Sequence, residues 1–167
     1  EYRWKSLDTS SHAIQNMMAM EKIVLAYKTF KVTDLFGDIP FSEAGYGYLD
    51  ASKLHPAFDT QENIYKNLLS ELEWAANHID PAANTEEPYL TFKSFDNLFF
   101  GDLVKWQKFA NSLRLRSAMR MVNKEPLLAG SIVEDIILNF KPVFGVNEFG
   151  QLNSNPNESA LLYPYQL

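Results

Sequence analysis

The sequence contains no cysteine, which excludes a disulfide, a thiolate zinc site and a cysteine nucleophile. It has no apolar run near the roughly 20 residues that a membrane-spanning helix requires. Positive charge is also scarce, since 15 Lys and Arg against 21 Asp and Glu give a net charge of −6. Phosphate binding needs a basic surplus, so this balance argues against a general nucleic-acid binder.

Catalytic and metal-binding motifs are missing as well. The sequence has neither a Gly-x-Ser-x-Gly elbow nor a phosphate-binding glycine loop. Its three histidines, at positions 12, 55 and 78, have no His-x-x-x-His spacing, so we expect no metal site and no cofactor. An acidic cluster, Asp34, Asp38 and Glu43, could supply the carboxylate pair of a glycoside hydrolase. Capping and turn hydrogen bonds are the interpretation that we favour for these three residues.

Hydrophobic residues make up 46% of the 167 positions, enough for the core of a single helical domain spanning residues 1–167. Their periodicity predicts four helices, at about 11–36, 59–80, 102–122 and 126–139. The first three helices are separated by two long connectors, 38–58 and 81–101. An irregular tail follows residue 139. The predicted fold class is therefore all-α, with tetratricopeptide-like stacked helix pairs and long irregular connectors.

Local signals place the ends and faces of the first two helices. Gly37 is predicted to end the first helix in a left-handed conformation. Asp59 is predicted to cap the second helix, with Glu62 completing a capping box. The apolar stripe predicted for the first helix consists of Ile14, Met17 or Met18, Val24 or Leu25, Tyr27 and Phe30. The stripe predicted for the second consists of Ile64, Leu68, Leu72, Ala75, Ala76 and Ile79.

The third predicted helix combines a capped start with a strongly basic outer face. Asp102 follows a glycine and is predicted to be its N-cap. The predicted apolar stripe consists of Leu103, Trp106, Phe109, Ala110, Leu113, Ser117 and Met121. The basic residues are Lys105, Lys108, Arg114, Arg116 and Arg120. These cations could contact phosphates, but in an acidic chain we expect most of them to pair with carboxylates. Pro126 suits the first turn of the fourth helix.

Three stretches, in this order, resemble motifs of the SusD/RagB family of outer-membrane lipoproteins. They are residues 33–44 (TDLFGDIPFSEA), residues 59–65 (DTQENIY) and residues 101–120 (GDLVKWQKFANSLRLRSAMR). The polar tail at 153–156 (NSNP) also agrees with the family. Members are much longer than 167 residues and carry an N-terminal lipid anchor. The resemblance therefore implies that this chain, which opens on Glu1 without a leader, is an internal helical segment of a longer protein.

The resemblance implies a non-catalytic, cell-surface binder in the outer membrane, held there by a lipid anchor outside this segment. Such a protein binds glycan or another nutrient and delivers it to a TonB-dependent transporter of the SusC type. The family motifs are structural, so Trp106 and Phe109 are expected to pack inside the domain. Aromatic residues in loops are the candidates for contact with the ligand: Trp4, Tyr46 and Tyr48. Two other hypotheses remain open, the glycoside hydrolase and a helical protein-interaction scaffold.

Overall fold

A computed structural model describes residues 10–139 of the chain. This part contains five α-helices and no β-strand: α1 (His12–Phe36), α2 (Gln61–His78), α3 (Tyr89–Phe92), α4 (Leu103–Met121) and α5 (Pro126–Asn139). The four long helices begin and end close to their predicted positions, and the all-α class is confirmed. The first connector contains a short 3-10 helix at Ala51–Leu54, and the second is largely built from short helical turns around α3. The tail at 140–167 and Trp4 lie outside the described residues.

Successive long helices pack against one another, α1 on α2, α2 on α4 and α4 on α5. All members of the stripe predicted for α2 are buried, as are all members of the stripe predicted for α4. Trp106 and Phe109 are almost completely buried, and Phe99 contacts both rings edge-on. The interpretation of these two residues as packing residues is therefore confirmed.

The stripe predicted for α1 is wrong in part. Ile14 and Phe30 are buried, but Val24 and Leu25 are 41% and 50% exposed. The buried face of α1 instead contains mostly small and polar residues, together with two large apolar ones, Met20 and Ile23: Ala13, Asn16, Ala19, Ala26, Thr29 and Thr33 are the small and polar members. Because apolar residues occur on nearly every side of α1, hydrophobic periodicity does not identify its buried face. Close approach to two neighbouring helices selects the face that carries small side chains.

The start of α2 also differs from the prediction. Thr60, and not Asp59, is the N-cap, and its hydroxyl accepts a hydrogen bond from the backbone N–H of Asn63 at 3.3 Å. Glu62 forms an ion pair with Lys66 on the next turn. Asp59 binds the first connector instead. Gly37 ends α1 with a positive φ of 73°, as predicted, but its ψ of −124° lies outside the left-handed helical region. The predicted N-cap of α4 is confirmed, since the Asp102 carboxylate accepts from the N–H of Lys105.

One buried carboxylate organises the turn that leads into α4. Asp96 Oδ1 accepts from the N–H groups of Leu98 and Phe99, and Oδ2 accepts from the N–H of Gly101 and from Trp106 Nε1 at 2.8 Å. Burial alone would raise the pKa of Asp96, but these hydrogen bonds outweigh it and hold the pKa below its usual value. Asp96 thereby fixes the turn and the indole together.

A buried tyrosine braces the same turn. The hydroxyl of Tyr89, a fully buried residue, donates to the carbonyl oxygen of Gly101 at 3.0 Å. Burial, reinforced by the negative charges of Asp96 and Asp102, raises the pKa of Tyr89 to about 12. Gly101 has a φ of 78°, and a Cβ there would lie 2.6 Å from Cβ of Lys93. Only glycine fits this position without strain.

A buried arginine joins the last helices. Arg114 is 2% exposed and donates to Asp135 Oδ2 of α5 at 2.6 Å and to Asn111 Oδ1 at 3.0 Å. Glu73 of α2 lies at ion-pair distance from the same guanidinium. Lys105 and Arg120 also pair with carboxylates, Asp102 and Asp34 respectively. Pairing of the α4 cations is thus confirmed for these three residues.

Candidate functional site

A groove of about 890 Å³ lies between α1, α2 and the first connector. Sites for small ligands commonly have volumes of about 300–1,000 Å³. The α1 wall carries Met18, Leu25 and Val32, which are spaced by seven residues along one side of the helix. The connector wall carries Pro40, Phe41, Ala44 and Tyr46. Leu25, misassigned to the core from the sequence, thus lines the groove.

Asp59 holds the connector wall in place. Its Oδ2 accepts from the N–H groups of Phe41 and Ser42, and both of its carboxylate oxygens accept from the Ser42 hydroxyl. The backbones of Ile39 and Asp59 also exchange two hydrogen bonds. The N–H of Ser42 makes the largest contribution to holding the pKa of Asp59 below its usual value. The carboxylate is therefore ionised at neutral pH and anchors the connector beside the helices.

The helical walls add polar groups to this apolar surface. Lys22 of α1 forms an ion pair with Glu71 of α2, and its ammonium group also lies 5.3 Å from the ring centroid of Trp74. Asn63 and Asn67 line the groove one turn apart, and neither side-chain amide has a hydrogen-bond partner among the described residues. Each amide offers two donors and one acceptor oxygen. The groove therefore combines an apolar floor with free neutral hydrogen-bonding groups, which suits a polar uncharged ligand.

The structure separates the three candidate aromatic residues. Tyr46 is half-buried and lines the groove, with the ammonium group of Lys53 at 5.9 Å from its ring centroid. Tyr48 is 76% exposed and does not line the groove. Trp4 lies outside the described residues. Of the two that are described, Tyr46 and Tyr48, only Tyr46 lies beside the other groups of a possible site.

The acidic cluster serves separate structural contacts. Asp34 accepts a hydrogen bond of 2.5 Å from the hydroxyl of Tyr65 and pairs with Arg120. Asp38 accepts from the N–H of Gln61. Glu43 accepts from Lys53 and from the N–H of Ala57.

The electrostatics of Glu43 also differ from those of a glycosidase acid. The hydrogen bond from Lys53, followed by the one from Ala57, holds the pKa of Glu43 below its usual value. A glycosidase acid requires a raised pKa, so Glu43 is tuned in the opposite direction. Within residues 10–139, no group of His, Asp and Glu side chains is arranged to hold a metal ion. No helix in this range is both long and apolar enough to cross a bilayer.

Sequence reasoning missed most of the groove. Asn63, Asn67 and Glu71 recur every four residues on α2, on the side away from its apolar stripe, so their common face is visible in the sequence. The sequence does not show, however, that these three residues lie close to the first connector. This proximity depends on the contact between Asp59 and Ser42, which no local pattern indicates.

Comparison with known proteins gives a consistent family match. A family model described as SusD-like, starch-binding and associating with the outer membrane matches residues 2–162. A comparison with curated protein sequences gave no match.

Solved structures similar to this chain include three SusD homologues. One from Bacteroides vulgatus is 28% identical with a TM-score of 0.62, over 77% of this chain and 24% of its own length. A chitin-binding homologue from Flavobacterium johnsoniae is 32% identical with a TM-score of 0.59, over 74% of this chain and 25% of its own. A homologue from Bacteroides uniformis is 32% identical with a TM-score of 0.60, over 72% of this chain and 23% of its own length. The chain therefore spans about a quarter of the length of these proteins.

Proposed function

This chain belongs to the SusD-like family of starch-binding proteins that associate with the outer membrane, and we propose that it is part of a non-catalytic glycan-binding protein at the cell surface. We also propose that its 167 residues are the helical scaffold of a longer SusD-type protein, as the share of its relatives that it covers suggests. The observation that carries the binding role is the groove between α1, α2 and the first connector. Chitin binding by one relative supports a saccharide ligand.

The chemistry of the groove fits a neutral saccharide. A sugar ring offers an apolar face to an aromatic or aliphatic surface, and its hydroxyl groups both donate and accept hydrogen bonds. Tyr46 provides an aromatic surface, while Asn63 and Asn67 provide amides that have no hydrogen-bond partner among the described residues. A volume of about 890 Å³ accommodates several sugar rings. The groove thus supplies both kinds of contact from opposite walls.

Replacing Tyr46 by alanine is expected to weaken glycan binding about tenfold, because it removes one of the two aromatic side chains on the connector wall of the groove. Binding is measured by isothermal titration against a panel of neutral oligosaccharides, including chitin and starch fragments. Tyr48→Ala is the matched control, since it removes an exposed tyrosine from the same connector outside the groove. It is expected to change affinity less than twofold.

Equal losses for both variants would show that the groove is not the binding site. Melting temperatures of both variants are compared with the wild type, so that a loss of fold is separated from a loss of contact. A further variant, Asn67→Leu, removes the amide from α2 without touching the connector. It is expected to reduce affinity by severalfold.

The second part of the proposed role is delivery of the bound glycan to a TonB-dependent transporter of the SusC type, with a lipid anchor outside this segment holding the protein at the membrane. The natural protein that carries this chain is purified through an affinity tag from gently solubilised outer membranes. A SusC-like barrel is expected to co-purify in near-stoichiometric amount. Recovery of the tagged protein alone would exclude a stable complex and contradict the delivery role.

A further inference from the structure

A second cleft lies between α1 and α4 and shares no lining residue with the groove. Its charged lining residues are Lys31 and Asp34 of α1 and Arg116 and Arg120 of α4. The enclosed space is about 10 Å³, which is room for a single oxygen-sized atom. Three cations and one carboxylate surround it, in a chain whose overall charge is −6.

The single carboxylate of this α1–α4 cleft is already satisfied. Asp34 pairs with Arg120 and accepts the hydrogen bond from Tyr65. Arg116 is exposed and has no ion-pair partner among the described residues. The ammonium group of Lys31 rests over the ring of Tyr27, 4.3 Å from its centroid, and has no carboxylate partner in the same part of the chain. Among the described residues, two positive charges at the cleft therefore have no carboxylate partner.

Arg116 differs from the other arginines of α4. Arg114 is buried against Asp135, and Arg120 is paired with Asp34, whereas no residue in the range 10–139 accepts a hydrogen bond from the guanidinium of Arg116. A guanidinium is a planar fork that binds a carboxylate or sulfate through two parallel hydrogen bonds. Lys31 adds a second positive charge at the same cleft.

We propose that the α1–α4 cleft is a second binding site of this chain, which takes the carboxylate or sulfate group of an acidic sugar residue through Arg116 and Lys31. This proposal rests on the saccharide-binding function proposed above, and it adds acidic oligosaccharides to the ligand class. The small cleft admits one oxygen atom of such a group, and the rest of the group remains outside it, where the exposed guanidinium of Arg116 can contact it. At physiological ionic strength, the charge of the bound carboxylate or sulfate is screened from those acidic residues of the chain that lie more than about 8 Å away. A membrane surface dense in phosphates would instead face the net negative charge of the whole chain.

The test compares ligands that differ in charge. Three tetrasaccharides are titrated into the full chain: one of galacturonic acid, its carboxyl-reduced neutral counterpart, and a sulfated galactose tetrasaccharide. At least one acidic ligand is expected to bind about fivefold more tightly than the neutral one at low salt, and this preference is expected to vanish at about 1 M salt.

Variants of the cleft locate the effect. Arg116→Gln is expected to abolish the preference for the acidic ligand while leaving neutral binding unchanged. Arg116→Lys keeps the charge but loses the fork, so it is expected to retain part of the preference. Lys124→Gln is the matched control, because it removes the same charge from an exposed position outside the cleft, and it is expected to retain the full preference.

Each remaining outcome contradicts the proposal in a distinct way. Equal binding of acidic and neutral ligands would overturn the acidic site and leave the saccharide-binding function standing. The absence of binding to all three tetrasaccharides and to the neutral panel would overturn both. A final arm uses vesicles containing anionic phospholipid, and stronger binding to these than to the acidic tetrasaccharides would assign the cleft to a membrane surface instead.

Discussion

Replacing Arg114 by alanine is expected to lower the free energy of unfolding by about 3 kcal/mol, the cost of breaking a buried ion pair. The guanidinium is almost completely buried and links side chains of α2, α4 and α5 at one point. Its loss leaves a cavity and removes the donor that is bound by the side-chain oxygen Oδ1 of Asn111. Urea unfolding at pH 7, followed by circular dichroism, measures the change.

The control for this prediction is Arg120→Ala, which removes an arginine from the same helix. Arg120 is 44% exposed along its side chain, so its pair with Asp34 is partly solvated and is expected to contribute about 0–1 kcal/mol. A double variant, Arg114→Met with Asp135→Leu, replaces both charges by apolar groups and is expected to recover most of the stability. Similar losses for Arg114→Ala and Arg120→Ala would contradict the role assigned to burial.

The second large effect is expected for Asp96→Asn, which should lower the free energy of unfolding by about 2–4 kcal/mol at pH 7. The carboxylate accepts four hydrogen bonds from N–H groups. The side-chain NH2 group of asparagine cannot accept a hydrogen bond, so at least one of these N–H groups would face another donor and lose its acceptor. The expected result is a loosened turn at 96–101 and a freed indole. Thermal unfolding and the fluorescence of Trp106 report on both.

The neighbouring substitution Asp102→Asn serves as the matched control. Asp102 accepts one capping hydrogen bond, and asparagine is an equally good N-cap, so a change within about 0.5 kcal/mol is expected. Equal effects at positions 96 and 102 would contradict the assignment of Asp96 as the centre of the turn.

The pH dependence of stability gives a second measurement on the same residue. Because the pKa of Asp96 is lower in the folded state, its contribution is present above its unfolded pKa of about 3.9 and is lost as pH falls through the folded value. The melting temperature of the wild type should therefore decline more steeply below about pH 4 than that of Asp96→Asn. Parallel declines of the two proteins would show that Asp96 does not carry this dependence.

The limits of sequence reasoning are clear at α1 and at the start of α2. The stripe of α2 was predicted correctly because its apolar residues occupy one side of the helix only. Leu25 of α1 was misplaced because this helix is apolar on more than one side, and only its neighbours determine which side is buried. Asp59 was assigned to the helix cap because two adjacent residues, Asp59 and Thr60, can both supply a capping oxygen. Competition from the connector decided between them.

The candidate sites show the same division. The sequence pointed to Tyr46 as a loop aromatic, but the groove exists only because Asp59 holds the connector beside α1 and α2. The basic face of α4 was likewise visible in the sequence. The sequence does not show which of these arginines are paired, because Arg114 pairs with Asp135, 21 positions away, and Arg120 pairs with Asp34 on α1.

By itself, the sequence determined the helices, most of their ends and the family, since periodicity, capping and motif wording are properties of neighbouring residues. The tertiary structure alone decided which face of α1 is buried, what Asp59 and Asp96 bind, and that Arg116 has no carboxylate partner within residues 10–139. These outcomes depend on contacts between residues far apart in the chain. Each is set by the competition among all partners that folding brings within reach, and local sequence contains no record of that competition.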